Sequence, residues 1–392
     1  TALLMLPCAS RGAGGASFGD ALFTATSASC VTGLVMQDTG TYWTTFGQIV
    51  IILLIQTGGL GFMTIATLFL LLLRRRLGLR EREVVVNSIS YTQLGGLVPF
   101  IRFIFLGTLL AEGVGAALLS IRFVQDFGWG RGIYYGVWHS ISAFCNAGFD
   151  LMGSYSGEYS SFTAYAGDPL VILTLCGLIL VGGAGFLVWD DLARNRLCWR
   201  RYRLQTKVVL LMNLVLVVGG GGLFLLLERN NLGAGLPLGE QALAALFDAV
   251  TPRTAGFNST DTGSLSSGSF LLTIVFMFIG GNPGSTAGGI KTTTVFVILL
   301  HTFSGVRREQ SANAFGRSIG DDALKRATPV LFTNLLLALA GAMVVCAVQA
   351  LPLADVLFET FSAIGTAGMT AGITRDLVPV SQAVIVFLMY CG

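Results

Sequence analysis

Charge is what this chain has least of: only 11% of its 392 residues are Asp, Glu, Lys or Arg, against roughly 25% in soluble domains. With 53% hydrophobic residues and a mean hydropathy of +0.74, it cannot solvate itself in water, and it reads as a polytopic membrane protein. Histidine is nearly absent. His139 and His301 stand far apart with no HExxH, so each reads as an interfacial or pore-helix residue rather than a ligand. The seven cysteines (Cys8, Cys30, Cys145, Cys176, Cys198, Cys346, Cys391) are odd in number, form no CxxC and mostly lie in apolar runs, which argues against a disulfide framework or a zinc site. No nucleophile with a base partner is visible, and neither GxGxxG nor a Walker motif occurs, so enzymatic chemistry and nucleotide binding by the chain itself are not expected. A net charge of +3, spread in clusters between apolar stretches, gives no nucleic-acid signature.

What the chain has instead is repetition. Four Ser/Thr/Ala-rich segments share one design: Ala21 to Leu34, Val137 to Phe149, Ala245 to Phe257 and Val356 to Met369, each ending on a Gly-containing loop. The loop glycines Gly33, Gly148, Gly256 and Gly368 recur roughly every 110 residues. A helix of about a dozen residues rises ~18 Å and cannot cross a ~30 Å hydrocarbon core, so each segment must enter the membrane and turn back. Longer apolar stretches flank them: Gln48 to Leu73, Leu97 to Ile121, Leu170 to Val188, Val208 to Leu227, Phe270 to Leu300, Val330 to Leu351, and Val378 onward. The expected fold is therefore an all-α integral membrane protein of four tandem helix/pore-helix/helix repeats, pseudo-four-fold about one ion pore. The repeats divide as 1–84, 95–200, 204–305 and 325–392. The opening Thr1 to Pro7 reads as the tail of an apolar helix, so the first spanning helix is expected to be mostly missing, and the run ending at Gly392 as a truncated last helix. Basic clusters at Arg74 to Arg82, Arg194 to Lys207 and Arg307 to Arg326 follow the second helix of a unit and mark the cytoplasmic side. On the other side Asp38, Asp150, Glu158, Asp168 and Asp261 form an acidic surround expected to attract cations.

Stripping a monovalent cation of water needs fixed oxygen ligands without full charge, and backbone carbonyls of an extended loop supply them. Glycine allows consecutive carbonyls to point one way, and the helix C-terminus adds partial negative charge aimed at the ion. One such loop is an ordinary helix cap, but four in register on one side are not. These loops, with Gln56-Thr-Gly-Gly-Leu-Gly-Phe62, Ser142 to Phe149, Thr251-Pro-Arg-Thr-Ala-Gly-Phe257 and Gly280 to Thr293, resemble the Trk/Ktr/HKT potassium transporters over nearly the whole chain, and most of all the bacterial KtrB-type branch. The resemblance implies a K⁺ filter of backbone carbonyls at Val31, Thr32, Gly33 and Leu34; Cys145, Asn146, Ala147 and Gly148; Thr254, Ala255 and Gly256; Gly365, Thr366, Ala367 and Gly368. Plant relatives with Ser in the first loop pass Na⁺ more readily, so four glycines favour K⁺, with a Na⁺ dependence left open. The third loop is one residue shorter between Phe247 and Gly256 and carries Pro252 and Arg253, so imperfect symmetry and weaker selectivity than in a tetrameric K⁺ channel are expected.

In the third unit, ten apolar residues from Phe270 to Ile279 rise about 15 Å before Gly280, Gly281, Asn282, Pro283, Gly284, Ser285, Thr286, Ala287, Gly288 and Gly289 break the helix near mid-membrane. That segment is read as a gate. Gly58 and Gly392 fall at the equivalent level, while Gly58, Gly59, Gly61, Gly182, Gly183 and Gly185 are read as close-packing glycines. Lys291 either belongs to the gate or snorkels to the cytoplasm. Glu112 is read as a packing residue with a local partner, and Asp190 and Asp191 as a solvated helix end. The resemblance further implies a homodimer with two separate pores in the bacterial cytoplasmic membrane, surrounded by lipid. A cytoplasmic KtrA-like ring would bind the regulatory nucleotide. An alternating-access secondary transporter is the main rival, but it calls for inverted repeats; a non-transporting scaffold would not need four loops of one design.

Overall fold

The computed structural model describes residues 1–12, 14–61, 97–196, 198–308 and 312–392. The chain is almost wholly helical. Helix α1 (Phe18–Ser29) opens on Ser17, whose hydroxyl accepts from the Asp20 amide, and α2 (Thr45–Leu60) opens on Thr44 in the same way. Helix α2 ends at Gly61, which takes a φ of +79°. The expected span to Leu73 thus stops short within the described residues; its remainder and the basic cluster Arg74 to Arg82 lie outside them.

Helix α3 (Leu97–Phe144) is a hairpin rather than a rod. It reverses at Gly128 (φ 75°, ψ 171°), dividing a spanning limb from a re-entrant limb. Gly132 and Gly136 follow it, four residues apart, and share one face of the second limb. A Cβ on Gly132 would sit 2.6 Å from Val124 Cα, one on Gly136 2.9 Å from the Ala116 carbonyl, and one on Gly115, in the other limb, 2.6 Å from Ser140 Oγ. The limbs therefore meet backbone to backbone, which is how helices associate where lipid removes the hydrophobic driving force.

Beyond it come α4 (Pro169–Gly183) and α5 (Phe186–Asn195), joined at a 94° bend, then α6 (Leu204–Glu228), α7 (Leu238–Val250), α8 (Ser267–Phe278) and α9 (Thr292–Val306). An antiparallel hairpin, β1 (Ala312–Ala314) and β2 (Arg317–Ile319), leads into α10 (Asp321–Val348), α11 (Leu353–Ile364) and α12 (Pro379–Cys391). Among the described residues α3, α6 and α10 are long and apolar enough to span, and the bent α4/α5 pair makes a broken span. The short helices α1, α7 and α11 and the second limb of α3 are the four re-entrant ones. Helix α1 packs on α12 as well as on α2, which brings the start of the chain against its end.

Two expectations are corrected here. The stretch Leu170 to Val188 is not one straight helix, because Gly185 at φ +95° turns the chain. Asp190 and Asp191 are not a solvated end: both are buried. Asp190 pairs with Arg194 at 2.7 Å, and Asp191 accepts from Asn195 Nδ2 at 2.7 Å and the Arg203 amide at 2.9 Å. The bend rolls these carboxylates inward, where they tie α5 to the segment entering α6.

The α3 hairpin makes a direct prediction. Gly136→Leu should lower the thermal midpoint of the purified protein in detergent, overpacking a close contact at a cost of about 1–3 kcal/mol. Gly113→Leu, on the same helix with open space around it, should leave the midpoint unchanged.

Candidate functional site

The four re-entrant helices deliver their loops to one place. In three of them the turn is closed by the same backbone bond at 2.8 Å: Thr32 N to Ser27 O, Ala147 N to Ser142 O and Ala367 N to Ser362 O. The third differs, as its missing residue requires. There Ala255 N and Gly256 N both reach Thr251 O, at 3.0 and 3.2 Å.

Each loop then alternates in hand. Val31, Asn146, Thr254 and Thr366 take positive φ (55°, 57°, 71°, 49°), as do Gly33, Gly148, Gly256 and Gly368 (93°, 71°, 75°, 79°), with one ordinary residue between. A β-branched residue such as Val31 in that region is strained, and persists only where the surroundings impose it. The glycines close a ring. A Cβ on Gly33 would meet the Ala147 carbonyl oxygen at 2.5 Å, one on Gly148 that of Ala255 at 2.8 Å, one on Gly256 that of Ala367 at 2.7 Å, and one on Gly368 would run into that of Thr32. Four loops from four distant parts of the chain thus touch cyclically through backbone alone, with the carbonyls of Thr32, Ala147, Ala255 and Ala367 set between the glycines. Of the other residues named for this site, Leu34 is buried among Phe23, Met36 and Val356. Cys145 Sγ lies 3.6 Å from Gln56 Oε1, and Gly365 packs against the end of α8 at the Met277 carbonyl.

On one side of the ring lies a cavity of about 410 Å³, bounded by Ser29, Cys30, Val31 and Thr366 at the loops, by Gly58 to Gly61, Phe186, Met389, Tyr390 and Gly392 from the surrounding helices, and by Gly284 to Gly288. Its described lining holds no Asp, Glu, Lys or Arg. The segment 280–291 is folded rather than slack. Ile279 and Ile290 form a parallel bridge, Gly281 N donates to Gly288 O at 3.1 Å, and Thr292 N to Gly281 O at 3.0 Å. The side chains of Thr292 and Asn282 bond to each other. Lys291 Nζ donates to the Ala287 carbonyl at 2.8 Å.

Sequence reasoning missed what holds this segment. It docks into the α4/α5 bend: Asn282 Nδ2 donates to Gly183 O at 2.6 Å, Thr286 N to Gly182 O at 3.3 Å, and Phe186 N to Gly284 O at 2.7 Å. Asn146 Nδ2 reaches Thr286 Oγ1 at 3.0 Å, tying the second loop of the ring to it. The available signal was a repeated Gly-Gly-x-Gly, at Gly58 to Gly61 and Gly182 to Gly185. Gly58 and Gly182 pack against the Ser29 and Phe144 carbonyls at the ends of re-entrant helices, as Gly392 does against Ile364, while Gly61 caps the end of α2 and Gly185 the start of α5. Packing accounts for the last of these glycines too, since a Cβ on Gly185 would sit 2.6 Å from the Pro283 carbonyl oxygen, and its φ of +95° is a second reason for glycine there. Glu112 has the local partner expected of it, accepting from Gln56 Nε2 at 3.0 Å.

On the ring's other side the acidic residues are mostly engaged. Asp168 caps α4 and pairs with Arg122 at 2.7 Å, and Asp38 accepts from Thr41 and the Tyr159 amide. Burial, with the Asp38 carboxylate nearby, pushes Asp150 up to about 7. The expected acidic field is therefore weaker than a count of carboxylates implies.

Broken spans around a ring of re-entrant loops define a multi-pass membrane protein of the transport class. The family model for TrkH, a cation transport protein, matches residues 12–392, and the chain belongs to that family, whose members are ion transporters. It is 39% identical over 396 residues to the potassium/sodium uptake protein NtpJ of Enterococcus hirae and 40% identical over 392 residues to the Ktr system potassium uptake protein B of Bacillus subtilis, covering all of this chain and 86% of each relative. The crystal structure of the potassium transporter TrkH from Vibrio parahaemolyticus superposes with a TM-score of 0.74 at 17% identity, over 96% of this chain and 76% of that one.

The docking of 280–291 can be tested without reference to transport. Asn282→Leu should make the amides of Gly281 and Thr286 exchange with deuterium about tenfold faster, the effect of losing roughly 1.4 kcal/mol of local stability. Unchanged exchange would show that the loop is held by other means.

Proposed function

We propose that this chain takes up potassium across the bacterial cytoplasmic membrane through a channel-like pore, with the four-glycine ring as selectivity filter and the 280–291 segment as gate. The observation that carries the reading is the closed ring itself. Carbonyls fixed between touching glycines cannot relax inward around a smaller ion without breaking contacts on both sides, and they supply the neutral oxygens a dehydrating monovalent cation needs. The short helices end beside the ring, adding partial negative charge. The charge-free cavity next to it suits a hydrated ion, and the loop along its wall stands in the way of exit. The relatives carry names for potassium or potassium/sodium uptake, which supports K⁺ as cargo and makes Na⁺ the ion to measure beside it.

In the same reading the ring faces outward and the basic clusters face the cytoplasm. A relative named as protein B of a Ktr system supports a multi-component assembly, which in this proposal comprises two chains as a homodimer with nucleotide control exerted by a KtrA-like cytoplasmic ring. That control would reach the gate through α5, whose first amide already holds Gly284.

Uptake of ⁸⁶Rb⁺ and ²²Na⁺ into proteoliposomes holding the full-length protein tests filter and gate together. Wild type should show saturable Rb⁺ uptake. Gly33→Ser, which drives a side chain at the Ala147 carbonyl, should lower the Rb⁺-to-Na⁺ ratio by on the order of tenfold, or ~1.4 kcal/mol of discrimination. A deletion within 281–288 should raise flux at unchanged ratio. Indifference to both changes in folded protein would return the assignment to an alternating-access transporter.

A further inference from the structure

We propose that Glu359 is a positioning residue for ion discrimination: it braces the strand that leaves the fourth filter loop, and His139 does the same in the second. The proposal rests on the filter reading above and goes beyond it to a residue that never touches the ion.

Glu359 lies on α11 nine residues before Gly368, and His139 on α3 nine before Gly148. Both are buried. Glu359 Oε1 accepts from the Ala371 amide at 3.3 Å and from the Thr370 hydroxyl, while Oε2 accepts from Thr374 Oγ1 at 2.9 Å. His139 Nδ1 is 2.7 Å from the Tyr135 carbonyl and must donate to it. That fixes the tautomer and leaves Nε2 to accept from the Leu151 amide at 3.0 Å. Ala371 and Leu151 are each the third residue after the ring glycine, so two different side chains at one helix position hold the same backbone group. In the third repeat, whose loop is one residue shorter, Asp248 stands eight residues before Gly256 and accepts from Thr260 Oγ1 at 3.1 Å, a hydroxyl in place of the backbone amide. In the first repeat the matching Thr24 hydroxyl has no partner, and the strand is held from outside, where Tyr159 donates its hydroxyl to the Met36 carbonyl at 2.9 Å.

Burying a carboxylate or imidazole in a membrane protein is costly unless every lone pair is used, so packing alone would select an apolar residue here. What the polar residue adds is a second fixed point. In the second and fourth repeats the glycine then sits between the bond that closes its own helix, whose acceptor is the Ser six residues back, and the brace three residues ahead. Only small movements of the carbonyls are left, and discrimination between cations of different radius depends on them.

The test measures ⁸⁶Rb⁺ and ²²Na⁺ uptake by full-length protein in proteoliposomes. Glu359→Ala should lower the Rb⁺-to-Na⁺ ratio about tenfold while Rb⁺ flux persists, and Glu359→Gln, which keeps an acceptor oxygen toward the strand, should restore the ratio to within about threefold of wild type. Thr374→Val removes one donor without touching the helix and should shift the ratio in the same direction, which keeps the question answerable where the alanine variant does not fold. Gly33→Ser runs in parallel. An unmoved ratio in folded Glu359→Ala or Thr374→Val, with Gly33→Ser lowering it, overturns the brace and leaves the filter standing. An unmoved ratio in all of them overturns both.

Discussion

At the ring the chain touches itself through backbone alone, and the rest of the structure is arranged to permit this. A Cβ at any of the four glycines would enter the van der Waals radius of a carbonyl oxygen from a different repeat, so the approach depends on glycine both for space and for positive φ. Because the contacts are cyclic, no loop can adjust alone. A displacement at Gly33 is felt at Ala147 on one side and Gly368 on the other. Strained residues such as Val31 survive in this setting because the surroundings over-determine them.

The same principle recurs one layer out. Gly58, Gly182 and Gly392 each sit against the last carbonyl of a re-entrant helix, at Ser29, Phe144 and Ile364. Helices packed this closely to the loops cannot continue straight past them, and the second helices of the first two repeats end or turn within three residues, at Gly61 and Gly185. The third is opened into a loop, and that loop is stabilised by the exposed backbone of the second repeat's bend: Gly182 and Gly183 offer carbonyls, and Phe186 an amide. A buried unwound segment needs partners for every peptide group, and a neighbouring helix break is a natural source of them.

How legible this was in the sequence follows from what each residue type can mean alone. The four loops were legible because they repeat, and repetition on one side of a membrane has few explanations. The opened third helix was legible because five glycines and Pro283 in ten residues exceed what packing requires. Individual glycines were not. Gly182 and Gly185 look alike in a string and both admit a carbonyl, yet only Gly185 takes a positive φ, at the 94° bend. Asp190 and Asp191 were misread as solvated although Arg194 and Asn195 stand at i+4 on the same helix, because burial and the Arg203 amide that reaches Asp191 from twelve residues on follow from the packing of α5 and not from spacing. His139 and Glu359 gave no common signal, since an imidazole and a carboxylate share no pattern. Their equivalence is positional and emerges only from the amides they hold.

Carrying four units on one chain is what allows them to differ. In an assembly of identical subunits, unwinding a helix to place a loop beside the cavity would unwind four, and each would need a neighbouring break to satisfy its backbone. Here one helix opens and one bends to receive it, while the third loop closes its turn through Thr251 alone and the others through Ser27, Ser142 and Ser362. The asymmetry is concentrated where the second and third repeats meet, through Asn146 to Thr286 and Asn282 to Gly183. Through Phe186 the α5 helix meets the loop at Gly284, and the loop meets the ring at Asn146, whereas α12 packs directly on α1 and brings Gly392 against Ile364 and Thr366. Four unlike units on one chain thus allow what four identical ones could not: a single, localised place where one helix opens into a loop held by its neighbour's bend.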